Sequence, residues 1–563
     1  MRTVVAGLAA VCVATLVALL AGFGPGLTPS LAWIALGCGA VFGVVAWGSL
    51  RNLPKAKPVR GWAAWSVTLA FTLFALRAFC WLIFVKDGDI AFLSPNNLGD
   101  LSLHLTYIRY FANSAPLWPD NPIFAACQLH YPFGVDLFNS VLTLAGADLS
   151  RGLIWVGLLS ALATGVTLWR WGGAFAMAGF LFNGGLAGFG IFATHQFADF
   201  QGAVDWKSIP LALFVTQRGL LYAVPVGLAL LWSWRARLLC GERGLPLWIE
   251  LLFYATLPLF HLHTFIFLSV MLGCWLAIPA AGSIPSPRRE VFRAGFLAFV
   301  PATALIWLLT GGFHSGDSIH IQPGWMEKNC LENFGALPIL LPILLGWLWV
   351  QRKKPETLAL AAVVIPAVLL FGIACFVIFA KWEWDNTKIM LWCYLAVLPP
   401  LWAMLRECGP WMRAIACVAL FFSGAVSLIG GLDSSHNGYT LANRAELDRL
   451  AVPLRQIPVT ATFACMPTFN HPLLLLGRKV VAGYEGHLSS HGIDYTARFA
   501  DLERLLRGDP GWQERARRLG VDYLFWSPRE QEKYGGATPW RATAPVVAEG
   551  PWGTIYDLRA QKK

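Results

Sequence analysis

The chain has 563 residues, of which 56% are hydrophobic and only 13% are charged. A soluble globular protein has about 25% charged residues. The apolar residues form long blocks, and the charges lie between these blocks or in the last quarter of the chain. This distribution excludes a disordered chain, a collagen-like chain and a water-soluble multidomain enzyme. It predicts an all-α polytopic membrane protein.

Thirteen segments are predicted as membrane crossings, although some are shorter than the roughly 20 residues that a spanning helix needs. They are residues 4–22, 30–50, 61–84, 152–168, 172–193, 217–234, 247–262, 264–280, 291–311, 335–350, 357–380, 388–405 and 412–431. The first segment could also be a signal peptide, but another apolar run follows it without a clear cleavage site, so we predict a helical hairpin. The apolar stretch 135–147 is short, and we expect an interfacial or re-entrant helix there.

The formal net charge of +11 indicates topology and not nucleic-acid binding. Basic residues form short clusters between apolar runs, which is typical of cytoplasmic loops, and most acids of the first 432 residues fall in the opposite loops. We therefore predict a multi-pass protein of the inner (plasma) membrane. It has an amino-terminal transmembrane hairpin (1–60), a transmembrane module (61–432) with a large outer loop (85–136), and a small extracytoplasmic α/β domain (433–563), where short β-like runs alternate with helical stretches.

The large outer loop contains the first residues that could carry chemistry. Asp100 and His104 are four residues apart on a predicted helix, so their side chains share one face. A carboxylate and an imidazole on one face can act as a base and its orienter, or as two ligands of a metal. Asp87 and Asp89 form a second acidic pair that suits a metal-bound phosphate or a general base. The alternative is that these acids only solvate the loop and that Asp100 caps its helix.

Three further sites fall on the same predicted side of the membrane. His261 and His263 lie at an outer turn and could bind a phosphate or a metal, although each could also be a satisfied core histidine. Arg218 opens the sixth predicted crossing and could hold a lipid phosphate through bidentate contacts. The run Trp384-Asp385-Asn386-Thr387-Lys388 suits an anionic headgroup or a sugar face, or else an aromatic belt with paired charges.

With these features the sequence resembles the GT-C class of membrane glycosyltransferases, and uncharacterised bacterial members of it in particular. The resemblance rests on a large first outer loop with acidic residues, on many crossings and on six local motifs. The motifs are Gly99-Asp100 to His104, Tyr131-Pro132-Phe133, Gln217-Arg218-Gly219, His261 to Phe265, Asn333-Phe334-Gly335 and Trp384 to Lys388. The tail around Gly483-Tyr484-Glu485-Gly486 and Ser489-Ser490-His491-Gly492 is also similar.

The resemblance implies transfer of a sugar from a polyprenyl-phosphate donor to a glycan, lipid or protein acceptor of the envelope at the outer face. It assigns Asp100 or Asp89 as base or metal contact, so a divalent cation is an open alternative. In the hypothesis, Asp100 is oriented by His104, while Arg218, His263 and Lys388 neutralise the departing phosphate. The other expected substrate-binding residues are Tyr131, His261, Trp384 and Asp385. The rival functions are a lipid or small-molecule transporter and an inactive relative of such enzymes.

Overall fold

A computed structural model describes residues 1–56, 58–94, 97–277, 285–313, 319–324, 330–379, 381–433, 438–536 and 538–562. Most of these residues are helical. The helices are α1 (Arg2–Ala21), α2 (Pro29–Ser49), α3 (Trp62–Cys80), α4 (Leu98–Ala112), α5 (Gly134–Leu144), α6 (Leu149–Leu181), α7 (Ile191–Thr194), α8 (Arg218–Leu239), α9 (Leu247–Phe260), α10 (Leu262–Ala277), α11 (Pro285–Leu309), α12 (Cys330–Phe334), α13 (Leu337–Val350), α14 (Pro355–Phe376), α15 (Thr387–Glu407), α16 (Pro410–Gly431), α17 (Arg444–Leu454), α18 (Pro472–Leu475), α19 (Glu485–Ser490), α20 (Thr496–Leu506), α21 (Trp512–Leu519), α22 (Pro528–Tyr534) and α23 (Trp540–Thr543).

Nine segments within the described residues are long and apolar enough to cross a membrane, and the chain is a multi-pass membrane protein. Eight of them lie in α1, α2, α3, α6, α8, α11, α14 and α16, and the ninth is Glu383–Glu407, which contains α15. The apolar helices α5, α9, α10 and α13 are shorter. Two expected crossings, 247–262 and 264–280, correspond to α9 and α10, and the last three residues of the second lie outside the described residues. The total of thirteen crossings stays a prediction.

Helix α6 contains two helices joined by a tight reversal at Gly172 and Gly173. Gly173 has a φ of 65° and a ψ of −150°, a conformation that strongly favours glycine. Phe71 of α3 contacts α6 on both sides of this glycine pair. Its ring is 6.0 Å from the ring of Phe180, which follows the pair, and it would lie 3.1 Å from a Cβ on Gly165, which precedes the pair. Residues on both sides of the glycine pair thus meet one side chain, as in an antiparallel hairpin. This accounts for the two separate apolar segments, 152–168 and 172–193, in the sequence.

The outer loop and the carboxyl-terminal region share a small sheet. Strands β1 (Phe84–Lys86) and β2 (Asp89–Phe92) form a hairpin, and β2 pairs with β5 (Tyr439–Asn443). The remaining described strands are β3 (His320–Ile321) and β4 (Val377–Ile378), which pair with each other, and the five strands of the tail sheet, β6 (Thr462–Ala464), β7 (Lys479–Val480), β8 (Tyr523–Trp526), β9 (Val546–Gly550) and β10 (Gly553–Asp557).

The tail sheet has the order β7-β6-β8-β10-β9 and is joined directly to the outer loop. The backbone N–H of Ala125 donates to the carbonyl of Val480, and the N–H of Val480 donates to the carbonyl of Pro122. The Nζ atom of Lys479 is 2.6 Å from a carboxylate oxygen of Asp120. These contacts attach the tail to the same loop that carries α4.

The short helix α5 lies buried between helices from several parts of the chain. It packs against α1, α4, α6 and α8. The hydroxyl of Ser140 donates to the carbonyl of Ile108 in α4 at 2.9 Å, and a Cβ on Gly134 would overlap the ring of Phe260 at the end of α9. With 11 residues α5 is about half the length of a spanning helix. The amino-terminal hairpin, through α1, therefore helps to fix the helix that carries Asp136.

Candidate functional site

Helix α4 places Asp100 and His104 at one end of the helical module. Asp100 lies in the first turn, where a carboxylate interacts favourably with the positive end of the helix dipole. His104 follows one turn later on the same face. His104 is only 2% exposed, whereas Asp100 is half-buried. The carboxylate is therefore the more accessible of the two groups.

His104 is paired with Asp136 of α5. Its Nδ1 atom lies 2.9 Å from Oδ2 and 3.1 Å from Oδ1 of Asp136, and both side chains are at most 3% exposed. Because a carboxylate can only accept, Nδ1 of His104 donates the hydrogen bond. The expected pairing of His104 with Asp100 is thus corrected: the hydrogen-bonded partner of His104 is Asp136, and Asp100 is its electrostatic neighbour.

Asp136 was missed as a site residue by the sequence analysis. The signal was an acid inside a short, otherwise apolar helix, where burial of an unpaired carboxylate is costly. Such an acid needs a partner from another element, and here the partner is the imidazole of His104.

The environment of Asp100 is suited to proton transfer. Burial raises the pKa of its carboxyl group, while the charges of His104 and Lys388 lower it and that of Asp385 raises it. A carboxylate with a raised pKa is a stronger base than a solvated one.

The run from Trp384 to Lys388 brings a cation to this group. The Nζ atom of Lys388 is 2.6 Å from a carboxylate oxygen of Asp385, and it lies 5.5 Å from the centre of the Trp384 ring. Lys388 and Asp385 are half-buried. The charges of Lys388 and Asp385 both act on Asp100, and the role of these residues in binding substrate stays a prediction.

Arg218 and His261 are the buried hydrogen-bond donors of the site. Arg218 is 1% exposed, and none of its three guanidinium nitrogens has a hydrogen-bond partner within the described part of the chain. The Nδ1 atom of His261 accepts from the backbone N–H of Thr264 at 3.2 Å, so its proton is on Nε2, which has no partner among the same residues. Both side chains can therefore donate to an anion.

A glycine next to Arg218 allows these donors to come together. A Cβ on Gly219 would lie 2.2 Å from the carbonyl oxygen of Phe260 and 3.7 Å from Cδ2 of His261. Only glycine permits α8 to approach the turn between α9 and α10 this closely. His263 lies on the same turn, with its ring centre 5.6 Å from that of His261, and the charge of Lys388 acts on both imidazoles.

Two histidines from the tail complete the group, which we call the polar cluster. His491 stacks on Tyr131, with ring centres 5.1 Å apart and an interplanar angle of 24°, and Tyr131 in turn lies 6.1 Å from the ring of His104. A Cβ on Gly99 would lie 3.2 Å from Nε2 of His487. The polar cluster consists of Asp100, His104, Tyr131, Asp136, Arg218, His261, His263, Trp384, Asp385, Lys388, His487 and His491.

Asp89 has a different environment from the one expected of a catalytic base. It lies at the start of β2, next to a turn in which Asp87 and Gly88 both have positive φ. The Nδ2 atom of Asn443 donates to its carboxylate at 2.9 Å. This contact belongs to the sheet that joins the outer loop to the tail, so the geometry favours Asp100 over Asp89.

The side chains do not fit a divalent cation. Among the residues that the structure describes, no three His, Cys, Asp or Glu side chains converge as metal ligands. Asp136 is paired with His104, and Asp385 is paired with Lys388. The chemistry proposed below therefore uses the side chains alone.

The solved structures that are similar to the chain include two membrane enzymes, whereas no family model and no curated protein matches the chain. The oligosaccharyltransferase of Archaeoglobus fulgidus, solved with a tethered acceptor peptide, has a TM-score of 0.41 and 10% identity over 82% of this chain and 69% of that one. ArnT from Cupriavidus metallidurans, in the apo state, has a TM-score of 0.45 and 12% identity over 89% of this chain and 99% of that one. Both are GT-C glycosyltransferases, the class that the sequence resembles.

Proposed function

We propose that the chain is a membrane glycosyltransferase that moves a sugar from a polyprenyl-phosphate donor to a hydroxyl of an envelope acceptor. The observation that carries the proposal is one polar cluster that combines a carboxylate of raised pKa with buried, unpartnered cationic and neutral donors. Proton abstraction from an acceptor and stabilisation of a leaving phosphate require these two kinds of group. The cluster would lie at the outer face of the inner membrane, with the tail domain on the same side.

In the proposed reaction the acceptor hydroxyl oxygen attacks the anomeric carbon of the sugar. Its proton passes to the carboxylate of Asp100 as the new carbon–oxygen bond forms. The bond between the anomeric carbon and the phosphate oxygen breaks on the opposite side, so the configuration inverts, and polyprenyl phosphate leaves with both bonding electrons.

The leaving phosphate gains negative charge during this step, and it must be neutralised in a site with little water. Arg218 would supply a bidentate pair of N–H donors, His261 would supply Nε2–H, and Lys388 would supply a nearby positive charge. Hydrogen-bond donors that are already in place stabilise the charge that develops in the transition state, because they need not reorganise during the reaction. His104, which is hydrogen-bonded to Asp136, would keep the part of the polar cluster next to Asp100 rigid.

The proposal is tested by donor cleavage with purified protein in lipid. The donors are polyprenyl phosphates that carry a hexose, an N-acetylhexosamine or a pentose, an added envelope extract supplies the acceptor hydroxyl, and release of polyprenyl phosphate is measured. Wild type should cleave at least one donor, and Asp100→Asn should lower kcat by about 10²- to 10⁴-fold, the usual contribution of a general base. His195→Asn, at an exposed histidine after α7, is the matched control and should keep full activity.

Two results would contradict the proposal. Failure of wild type to cleave any donor, together with movement of the intact lipid between leaflets, would favour the transporter alternative. Full activity of Asp100→Asn alongside an active wild type would keep the reaction but remove Asp100 as the base.

A further inference from the structure

His491 stands out because it comes from the tail and yet lies in the polar cluster. It follows α19 directly, and the side chain of His487 in this helix lies next to Gly99 of α4. The charges of Lys388 and Asp385 both act on His491, as does His104. His491 is half-buried.

The imidazole of His491 is suited to a neutral partner. Burial lowers the pKa of His491 to about 3, with further lowering by His487 and Lys388, so the ring is uncharged at neutral pH. Neither of its nitrogens is hydrogen-bonded to another described residue. A neutral imidazole has one donor and one acceptor, which is also the pattern of a hydroxyl group.

The anion of the donor has better partners elsewhere in the cluster. Arg218 and His261 present buried, unpartnered N–H groups. The ring of His491 instead stacks on Tyr131, which fixes its orientation without using either nitrogen. The hydroxyls of a sugar match such a group better than a phosphate does.

On the basis of the proposed function, we propose that the tail contributes His491 as a substrate-binding residue, whose imidazole hydrogen-bonds a hydroxyl of the transferred sugar while Tyr131 supports its ring. The tail would then form part of the active site and would set sugar specificity. This role needs the loop–tail contacts, because they bring His491 next to α4.

The test uses a donor that wild type cleaves and the series of its analogues in which one sugar hydroxyl at a time is replaced by hydrogen. Loss of one neutral hydrogen bond should lower kcat/KM by about tenfold. His491→Ala should therefore lose about tenfold with the parent donor and nothing further with one particular deoxy analogue. His491→Gln, which can still donate and accept, should recover part of the loss.

Several outcomes separate this inference from the proposed function. If wild type cleaves no donor, the proposed function fails. If wild type is active and His491→Ala has the same kcat/KM, His491 does not bind the sugar. The same conclusion follows if the losses of kcat/KM caused by His491→Ala and by each deoxy analogue multiply for every analogue. His195→Asn serves as the histidine control, and thermal unfolding in detergent shows whether His491→Ala is still folded. If both His491 variants are folded and His491→Gln loses as much activity as His491→Ala, the proposal is also contradicted.

Discussion

Replacement of Asp136 by asparagine tests the pair that links α4 to α5. The Nδ1 atom of His104 is 2.9 and 3.1 Å from the two carboxylate oxygens, and both side chains are at most 3% exposed. A hydrogen bond to a charged group contributes about 1.5–3 kcal/mol to stability, and it contributes more when loss of one partner leaves the other buried and unpaired. Asparagine keeps one acceptor oxygen but removes the charge. We expect Asp136→Asn to lower the free energy of unfolding by about 2 kcal/mol.

A double-mutant cycle isolates this interaction. His104→Gln, Asp136→Asn and the double variant are unfolded in mixed micelles, and their free energies of unfolding are compared. The expected coupling energy is about 1.5–3 kcal/mol. Ser140→Ala is the matched control, because Ser140 lies one turn after Asp136 and bonds the backbone of α4 instead of His104. Its effect should be additive with that of His104→Gln. Additivity within about 0.5 kcal/mol for the Asp136 cycle would refute the assigned pair.

Three further predictions concern other groups. Burial raises the pKa of Asp100 and Lys388 lowers it, so Lys388→Met should move the acid limb of the pH profile of kcat/KM to higher pH; an unmoved limb would argue against Asp100 as the base. Burial alone would raise the pKa of Glu530, but hydrogen bonds, that from His471 foremost, lower it to about 2. Its stabilisation is therefore complete above the unfolded pKa of about 4 and is lost as the pH falls towards 2; Glu530→Gln should cost about 3 kcal/mol at pH 7 and flatten the acid limb of a stability curve. Asp89→Asn should keep activity within about twofold of wild type in the donor-cleavage assay, and a loss above a hundredfold would return Asp89 to the catalytic group.

Local patterns in the sequence predicted the parts of the site that depend on one element. The four-residue spacing of Asp100 and His104 placed both on one face of a helix, since helical periodicity is a property of the backbone. The short runs around His261 and Lys388 likewise marked turns where polar groups interrupt apolar segments. Each of these predictions needed only the residues within one turn or loop.

The pairings between elements could not be read from such patterns. His104 and Asp136 are 32 residues apart, and His491 reaches Tyr131 from the tail. Their proximity depends on how α5 is buried and on how the tail attaches to the outer loop, and both are results of tertiary packing. The sequence pattern therefore predicted Asp100, the carboxylate closest in sequence, as the partner of His104. In the folded chain the partner is Asp136, which is more deeply buried.

The two cations of the site differ in a way that bears on how it works. Lys388 is paired with Asp385 and acts on Asp100, so its charge is partly compensated before any substrate binds. Arg218 is buried with no hydrogen-bonded partner in the described chain, although the charge of Asp136 acts favourably on it. A buried charge without a hydrogen-bonded partner costs several kcal/mol. Binding of an anion removes that cost, and a group that becomes more negative in the transition state removes more of it than the ground state does. This favours Arg218 as the main contact for the leaving phosphate and Lys388 as the residue that adjusts the base.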